Sequence, residues 1–230
     1  MTHRLHRFAE SGNAYEAAPM LALCEADWEP VRVAYFDGGA RTPEFLALNP
    51  LGEVPVLETD DGLTLSQSGV ILDHLAETLG RFGARDAAER REILRWLLFD
   101  NHKLTSYVAT LRFLRTFTDR GEDEVTAFLD ARARGALATL DRHLDGRDFA
   151  LGERPTIADV SMCGYLYRPA EIGNETPRSL LQALAPNHGG GTTRPVQAVP
   201  SGFGPHAVGF GDYLRDFDLG TGNAPLDVER

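Results

Sequence analysis

Residues 49–57 read NPLGEVPVL, and the proline near their end limits what this part of the chain can become. Val54, Val56 and Leu57 are strand-forming residues. Pro55 has no backbone N–H to give to a neighbouring strand. Two readings follow. Pro55 is a plain edge-strand or turn proline, or the Val54–Pro55 bond is cis, as in about 5% of X-Pro bonds in folded proteins. A cis bond would turn the Val54 backbone outward, where its N–H and C=O could pair with a peptide-like guest as an added strand does.

The surrounding chain mixes two periods. Residues 4–10 alternate apolar and polar side chains, as a short strand does. Ala17, Met20, Leu21 and Cys24 then fall on one helical face, and Pro19 places the helix start near residue 16. Residues 29–37 read as a second strand, and 38–50 as a loop with a brief helical turn. Residues 54–68 form a hairpin turning at Asp61-Gly62. A helix follows, with Ser68 as N-cap and Gly80 as its stop. The order β-α-β-β-β-α is gathered within residues 1–80, taking the brief turn as a connector.

Residues 81–86 read as a polar linker, and no strand pattern returns before residue 173. Ile93, Leu97, Leu104, Val108 and Leu111 keep helical spacing across 87–117. Val125, Leu129, Ala133, Leu137, Leu140 and Leu144 do so across 122–145. A third helix covers 155–167, where Thr156 and Asp159 match a capping box. The fold class is thus an α+β domain over 1–80 followed by an all-α helical-bundle domain over 87–173. From residue 174 the character changes, with 10 Gly and Pro residues between 186 and 209. Residues 174–230 read as a specialised extension or as an out-of-frame end of a GC-rich gene, with 186–209 the least ordered. Lys103 is the only lysine, which fits a GC-rich source.

Charge and cysteine content narrow the partners. The formal net charge is −11, which disfavours nucleic acid and anionic membranes. Two distant cysteines, Cys24 and Cys163, make no disulfide framework and fit a reducing, cytoplasmic setting. No run of 18 apolar residues is present, and no spacing of His, Cys, Asp and Glu reads as a metal site.

The chain resembles the glutathione transferase family in four places. NPLGEVPVL is similar to the family's cis-proline loop, and LSQSGVILDHLAETLG to the segment that grips the γ-glutamyl end of glutathione. ERPTIADVSMCGYLYRP resembles the capping box of its helical domain, and SGNAYEAAPMLAL the loop and helix of the activating residue in bacterial members. The resemblance spans residues 4–172 and implies a thioredoxin-like N-terminal domain, glutathione as co-substrate and a homodimer. Val54, beside Pro55, would pair with the cysteinyl part of glutathione. Ser68 would bind the γ-glutamyl carboxylate, which a helix N-terminus suits, and Gln67 the ammonium. Ser11, Asn13 and Tyr15 are the candidates for activating the thiol; a turn capped by Ser11 or Asn13 is the plainer alternative. The electrophile pocket would face the long helix, walled by Asn101, His102, Tyr107 and Phe113.

The expected chemistry is set by thiol ionisation. A free thiol near pKa 8.5 is only about a few per cent thiolate at pH 7. Lowering that pKa by about two units takes roughly 2.7 kcal/mol, which a positioned hydroxyl and helix N–H groups can supply. The sequence departs from the family at Glu16, where a basic residue is usual, at Ala40, where a glycyl-binding side chain is common, and at Gln67, where many members carry Glu. Arg41 stands beside Ala40 as a compensating group. The function implied is conjugation of glutathione to a small electrophile. Disulfide-bond reduction, isomerisation, dehalogenation or a non-catalytic binding role on the same fold are the alternatives.

Overall fold

The computed structural model describes residues 2–166. The expectations for residues 167–173 and for 174–230 therefore lie outside the described residues. Four strands form one sheet in the order β2-β1-β3-β4. β1 (His3–Arg7) runs parallel to β2 (Trp28–Arg32), joined by α1 (Gly12–Leu23). β3 (Val56–Glu58) is antiparallel to β1, and β4 (Thr64–Ser66) to β3. α2 (Pro43–Leu48) lies between β2 and β3 in sequence, and α3 (Ser68–Leu79) follows β4. This is the thioredoxin-like arrangement, and a purely helical part follows it. That part holds α4 (Ala87–Phe99), a π-helical turn (Asp100–Thr105), α5 (Ser106–Phe117), α6 (Glu124–Leu144) and α7 (Ile157–Leu166).

Several local signals act as expected. Gly62 takes a positive φ of 91° in the hairpin turn, and Gly80 ends α3 in the left-handed conformation. Asp86 caps α4 by accepting the N–H groups of Ala88 and Glu89 at 2.7 and 2.8 Å. Asp159 accepts the Thr156 N–H at 2.8 Å and the Ala150 N–H at 2.7 Å, so one buried carboxylate starts α7 and ties down the loop before it.

Four details differ from the sequence reading. α1 begins at Gly12, not near residue 16, with Pro19 buried inside it. An interior proline costs a helix about 3 kcal/mol. Here nine buried residues of α1, Pro19 among them, pack into the core and outweigh that penalty. β2 stops at Arg32, because beyond it the chain folds into turns held by bonds such as Gly39 N–H to Ala34 O at 2.8 Å. Ser68 is the first residue of α3 rather than its cap; Gln67 holds the cap position at φ 71° with no capping side-chain bond. Val125 is exposed although the next residue, Thr126, is fully buried, so it falls on the outer face of the first turn of α6.

One apolar cluster runs without a break from the sheet (Leu5, Leu57) through α1 and α3 into the helical part (Trp96, Leu104, Leu140, Leu166). A smaller cluster of Val33, Ala40, Phe45, Val54 and Val56 includes one residue of β3. The α1–α7 contact is close because both helices present glycine. A Cβ on Gly164 would lie 2.6 Å from Glu16 Oε1 and 2.7 Å from the Gly12 carbonyl. Since Asp159 fixes where α7 starts, Asp159→Ala should lower the unfolding free energy by roughly 3 kcal/mol, the loss of a cap plus buried N–H groups left unpaired. Urea denaturation of the two proteins measures this; a loss under about 1 kcal/mol would show that water replaces the carboxylate.

Candidate functional site

The N-terminus of α1 gathers the three activating candidates. Ser11 is buried, caps the helix and accepts the Ala14 N–H at 3.2 Å. Its hydroxyl proton remains available to donate, and accepting a helix N–H makes it a better donor. Asn13 has a buried side-chain oxygen with no hydrogen-bond partner. Tyr15 is 4% exposed and belongs to the core cluster. Two side chains from the helical part reach this turn. Arg112 of α5 donates to the Glu10 carbonyl at 2.5 Å, and Tyr165 of α7 abuts Gly12. Sequence reasoning missed both, because their sequence distance from the turn hides the contact.

A second group of residues stands at the end of β3. The Val54–Pro55 bond is cis, and β3 begins only at Val56. Val54 makes no backbone hydrogen bond among the described residues. Val56 pairs with Ser66, the last pair of the β3–β4 ladder, so Val54 lies two residues before that pair and Ser68 two residues after it. The first N–H groups of α3, on Ser68 and Gly69, have no backbone partner, and a Cβ on Gly69 would meet open space. Unpaired N–H groups at a helix start attract an anion. Gln67 donates its side-chain amide to Glu53 at 3.1 Å. Glu53 thereby places a negative charge beside a neutral Gln67, a feature the sequence reading did not use. Arg41 bonds the Leu51 carbonyl at 3.1 Å and lies against Gly52, bracing the loop before Pro55, while Ala40 is buried beneath.

Beneath these groups lies a pair of buried carboxyls. Glu16 is 1% exposed, and neither of its oxygens has a hydrogen-bond partner. Burial, then the negative charge of Asp100, push its pKa well above the usual carboxylate range; the neighbouring Ser68 hydroxyl opposes this only in part. Burial raises Asp100 to about 6, against hydrogen bonds from Ser161 and Thr105 that favour its charge. Cys163, close by, is held well above an ordinary thiol by burial, so it is no nucleophile at neutral pH.

The four residues expected to wall the electrophile pocket are not brought together. Asn101 lines a different cleft, of about 1160 Å³, between α3 and α4, and His102 is exposed. Tyr107 is half-buried against the core. The π-helical turn shifts the phase between α4 and α5, so positions projected along one long helix separate. Phe113 alone joins an aromatic row. Phe8 stacks on Tyr35 at 4.5 Å, Phe36 approaches Phe8 at 5.6 Å and Phe117 at 5.4 Å, and Phe113 lies 6.2 Å from Phe117. The row bridges sheet and helices, and Phe8 is next to the Ser11 turn, its carbonyl accepting the Ser11 N–H at 3.2 Å. Among the described residues no cluster of three or more His, Cys, Asp or Glu is placed to hold a metal ion, and no helix is long and apolar enough to cross a membrane.

Comparison with known proteins bears on this arrangement. The family model for the glutathione S-transferase N-terminal domain matches residues 14–78, and that for the C-terminal domain matches residues 108–168. A glutathione S-transferase-like protein of a Fusarium species, LUC7, is 31% identical over 69% of this chain and 73% of its own. Maleylacetoacetate isomerase of Pseudomonas aeruginosa is 28% identical over 74% of this chain and 82% of its own. Among solved structures, a glutathione S-transferase from Xanthobacter autotrophicus superposes with a TM-score of 0.73 at 31% identity, over 79% of this chain and 90% of that one. A glutathione transferase family member from Pseudomonas fluorescens, solved with two glutathione bound, gives 0.72 at 25% identity, over 79% and 86%.

The carboxyl pair sets a pH dependence. Both pKa values are raised in the folded state, so the stability present below about pH 4 is lost as pH rises through the folded values, near 6 for Asp100 and well above the usual carboxylate range for Glu16. A tenfold change in proton affinity is about 1.4 kcal/mol. Glu16→Gln should therefore gain at least about that much stability over the parent at pH 8 and little at pH 4. Denaturant melts at the two pH values decide it; an equal gain at both would trace the effect to packing.

Proposed function

This chain belongs to the glutathione S-transferase family, and from that premise we propose that it binds glutathione and activates its thiol for attack on a small electrophile. The observation that carries this is that two backbone sites without a backbone partner among the described residues, Val54 and the start of α3, flank the same end of the β3–β4 ladder, two residues before Val56 and two after Ser66. A γ-glutamyl peptide supplies the complement of both. Its cysteinyl amide would pair with Val54 as an added strand does. Its α-carboxylate would accept from the Ser68 and Gly69 N–H groups and the Ser68 hydroxyl. Its ammonium would meet the Gln67 oxygen and the Glu53 carboxylate. The thiol would then lie toward Ser11, whose hydroxyl donates to the thiolate, with the unpartnered Asn13 oxygen nearby.

The aromatic row supports an apolar electrophile lying against its surface, since Phe36 and Phe117 are in contact with each other and leave no space between them. A second reading, isomerisation, draws on the likeness to maleylacetoacetate isomerase. There the thiolate would add to a conjugated double bond and leave again, so glutathione would not be consumed. Consumption of glutathione per turnover separates the two.

The cleft between α3 and α4 fits a second copy of this chain. Its α3 side carries Asp73 and Glu77, its α4 side Arg85 and Arg90, and Val70, Leu94 and Leu98 are exposed between them. A two-fold axis would set acidic α3 against basic α4 of the partner and cover the apolar residues. Leu98→Glu should convert a dimer to a monomer in sedimentation velocity; a monomeric parent at micromolar concentration would end this proposal. Localisation in the cytoplasm is part of the same reading.

Calorimetric titration tests the site. Glutathione should bind with a Kd between micromolar and low millimolar, and Ser68→Ala should weaken it at least tenfold, about 1.4 kcal/mol. Glu53→Gln should weaken it several-fold. No heat at 10 mM glutathione, with no thermal shift, would overturn the reading.

A further inference from the structure

The helical part reaches the thiol-activating turn through Tyr165. A Cβ at Gly12 would be 2.6 Å from both Cε1 and Cε2 of that ring and nearer still to Cζ, which carries the hydroxyl. The ring therefore sits flush on the Gly12 backbone, between Ser11 and Asn13. Ser11, Gly12, Tyr15, Arg112, Gly164 and Tyr165 line a recess whose free volume is only about 10 Å³, too small for the turn to shift within it. Arg112 holds the preceding carbonyl, of Glu10.

We propose that Tyr165 is a positioning residue for thiol activation, its ring and hydroxyl fixing where α1 begins and thus where the Ser11 hydroxyl and the first helix N–H groups point. The inference rests on the reading of this turn as the thiol-activating corner. Donation to a thiolate weakens steeply once the donor is misaimed. A turn held on three sides keeps its donors aimed without reorganisation, which is how preorganised donors stabilise a developing charge. The phenol is suited to the task. Burial holds it un-ionised, while the Asn13 backbone N–H faces its oxygen. The hydroxyl thus has an acceptor lone pair for that N–H and brings no charge beside the thiolate. No catalytic contact with glutathione is assigned to it.

The test compares the parent with Tyr165→Phe, which keeps the ring, and Tyr165→Leu, which removes it. The first readout needs no ligand: deuterium exchange of the amides over residues 12–15. It should quicken in Tyr165→Leu, with α6 unchanged. The second is the pKa of glutathione's thiol on the protein, followed by thiolate absorbance across pH. In Tyr165→Phe the affinity for glutathione should stay within twofold while the thiol pKa rises by about half a unit, leaving about threefold less thiolate below that pKa. Tyr165→Leu should raise it further. Unchanged exchange together with an unchanged thiol pKa would overturn the inference, as would loss of affinity without a change in pKa. If the parent binds no glutathione, the proposed function fails, and the exchange measurement still decides whether Tyr165 holds the turn.

Discussion

The contact between α1 and α7 is the constraint on which the rest depends. Two helices approach this closely only where side chains are absent at the crossing, and Gly12 and Gly164 meet that need. The approach joins the sheet-bearing part to the helical part by backbone proximity as well as by side-chain packing. The apolar cluster passes through the same crossing, so neither part has a core that closes without the other. A site at the start of α1 is then also a site at the end of α7. Its geometry is set by residues about 150 positions away in sequence.

That crossing also explains why Glu16 is so confined. On α1 it faces α7, with its Cγ and Oε1 packed against Gly164. A cation in place of Glu16 would neutralise Asp100, which Ser161 and Thr105 already hold from α7 and the π-helical turn. With Glu16 the two carboxyls share a dry space, and like charges there are not both tolerated at once. Burial and the neighbouring Asp100 both favour the protonated form of Glu16, the form in which Ser68 faces a neutral group. An ionised Glu16 would oppose an anion at the start of α3.

Much of this was readable in the sequence where one short stretch determines the outcome. The Thr156–Asp159 box, the Asp61-Gly62 turn, the Gly80 stop and a Val54 backbone outside the strand ladder all follow from residues within a few positions of one another. The errors share a different origin. Pro19 was given its local penalty, but burial of α1 on both sides outweighs it. Asn101 lies in the π-helical turn and Phe113 beyond it in α5, and only Phe113 joins the aromatic row. Tyr165 and Arg112 sat in view among apolar helix residues. Two signals did point to them: a glycine at position 12 where a helix starts, and an arginine inside an apolar stripe.

The site differs in kind from one built on charged side chains. In the proposed reading its anion-binding groups are backbone N–H groups at two helix starts, α1 and α3, and hydroxyls at the same two places, Ser11 and Ser68. Such donors carry no desolvation penalty for a full charge, and their aim is fixed by helix geometry rather than by flexible stems. The neutral Gln67, and a Glu16 whose protonated form is favoured by burial, are consistent with this arrangement, since neither then adds a negative charge next to the proposed ligand's carboxylate or thiolate. The exposed Glu53 stands beside Gln67, where the proposed reading sets the ligand's amine. A site of this type depends on position more than on charge, so the packing that holds α1 in place becomes part of its chemistry.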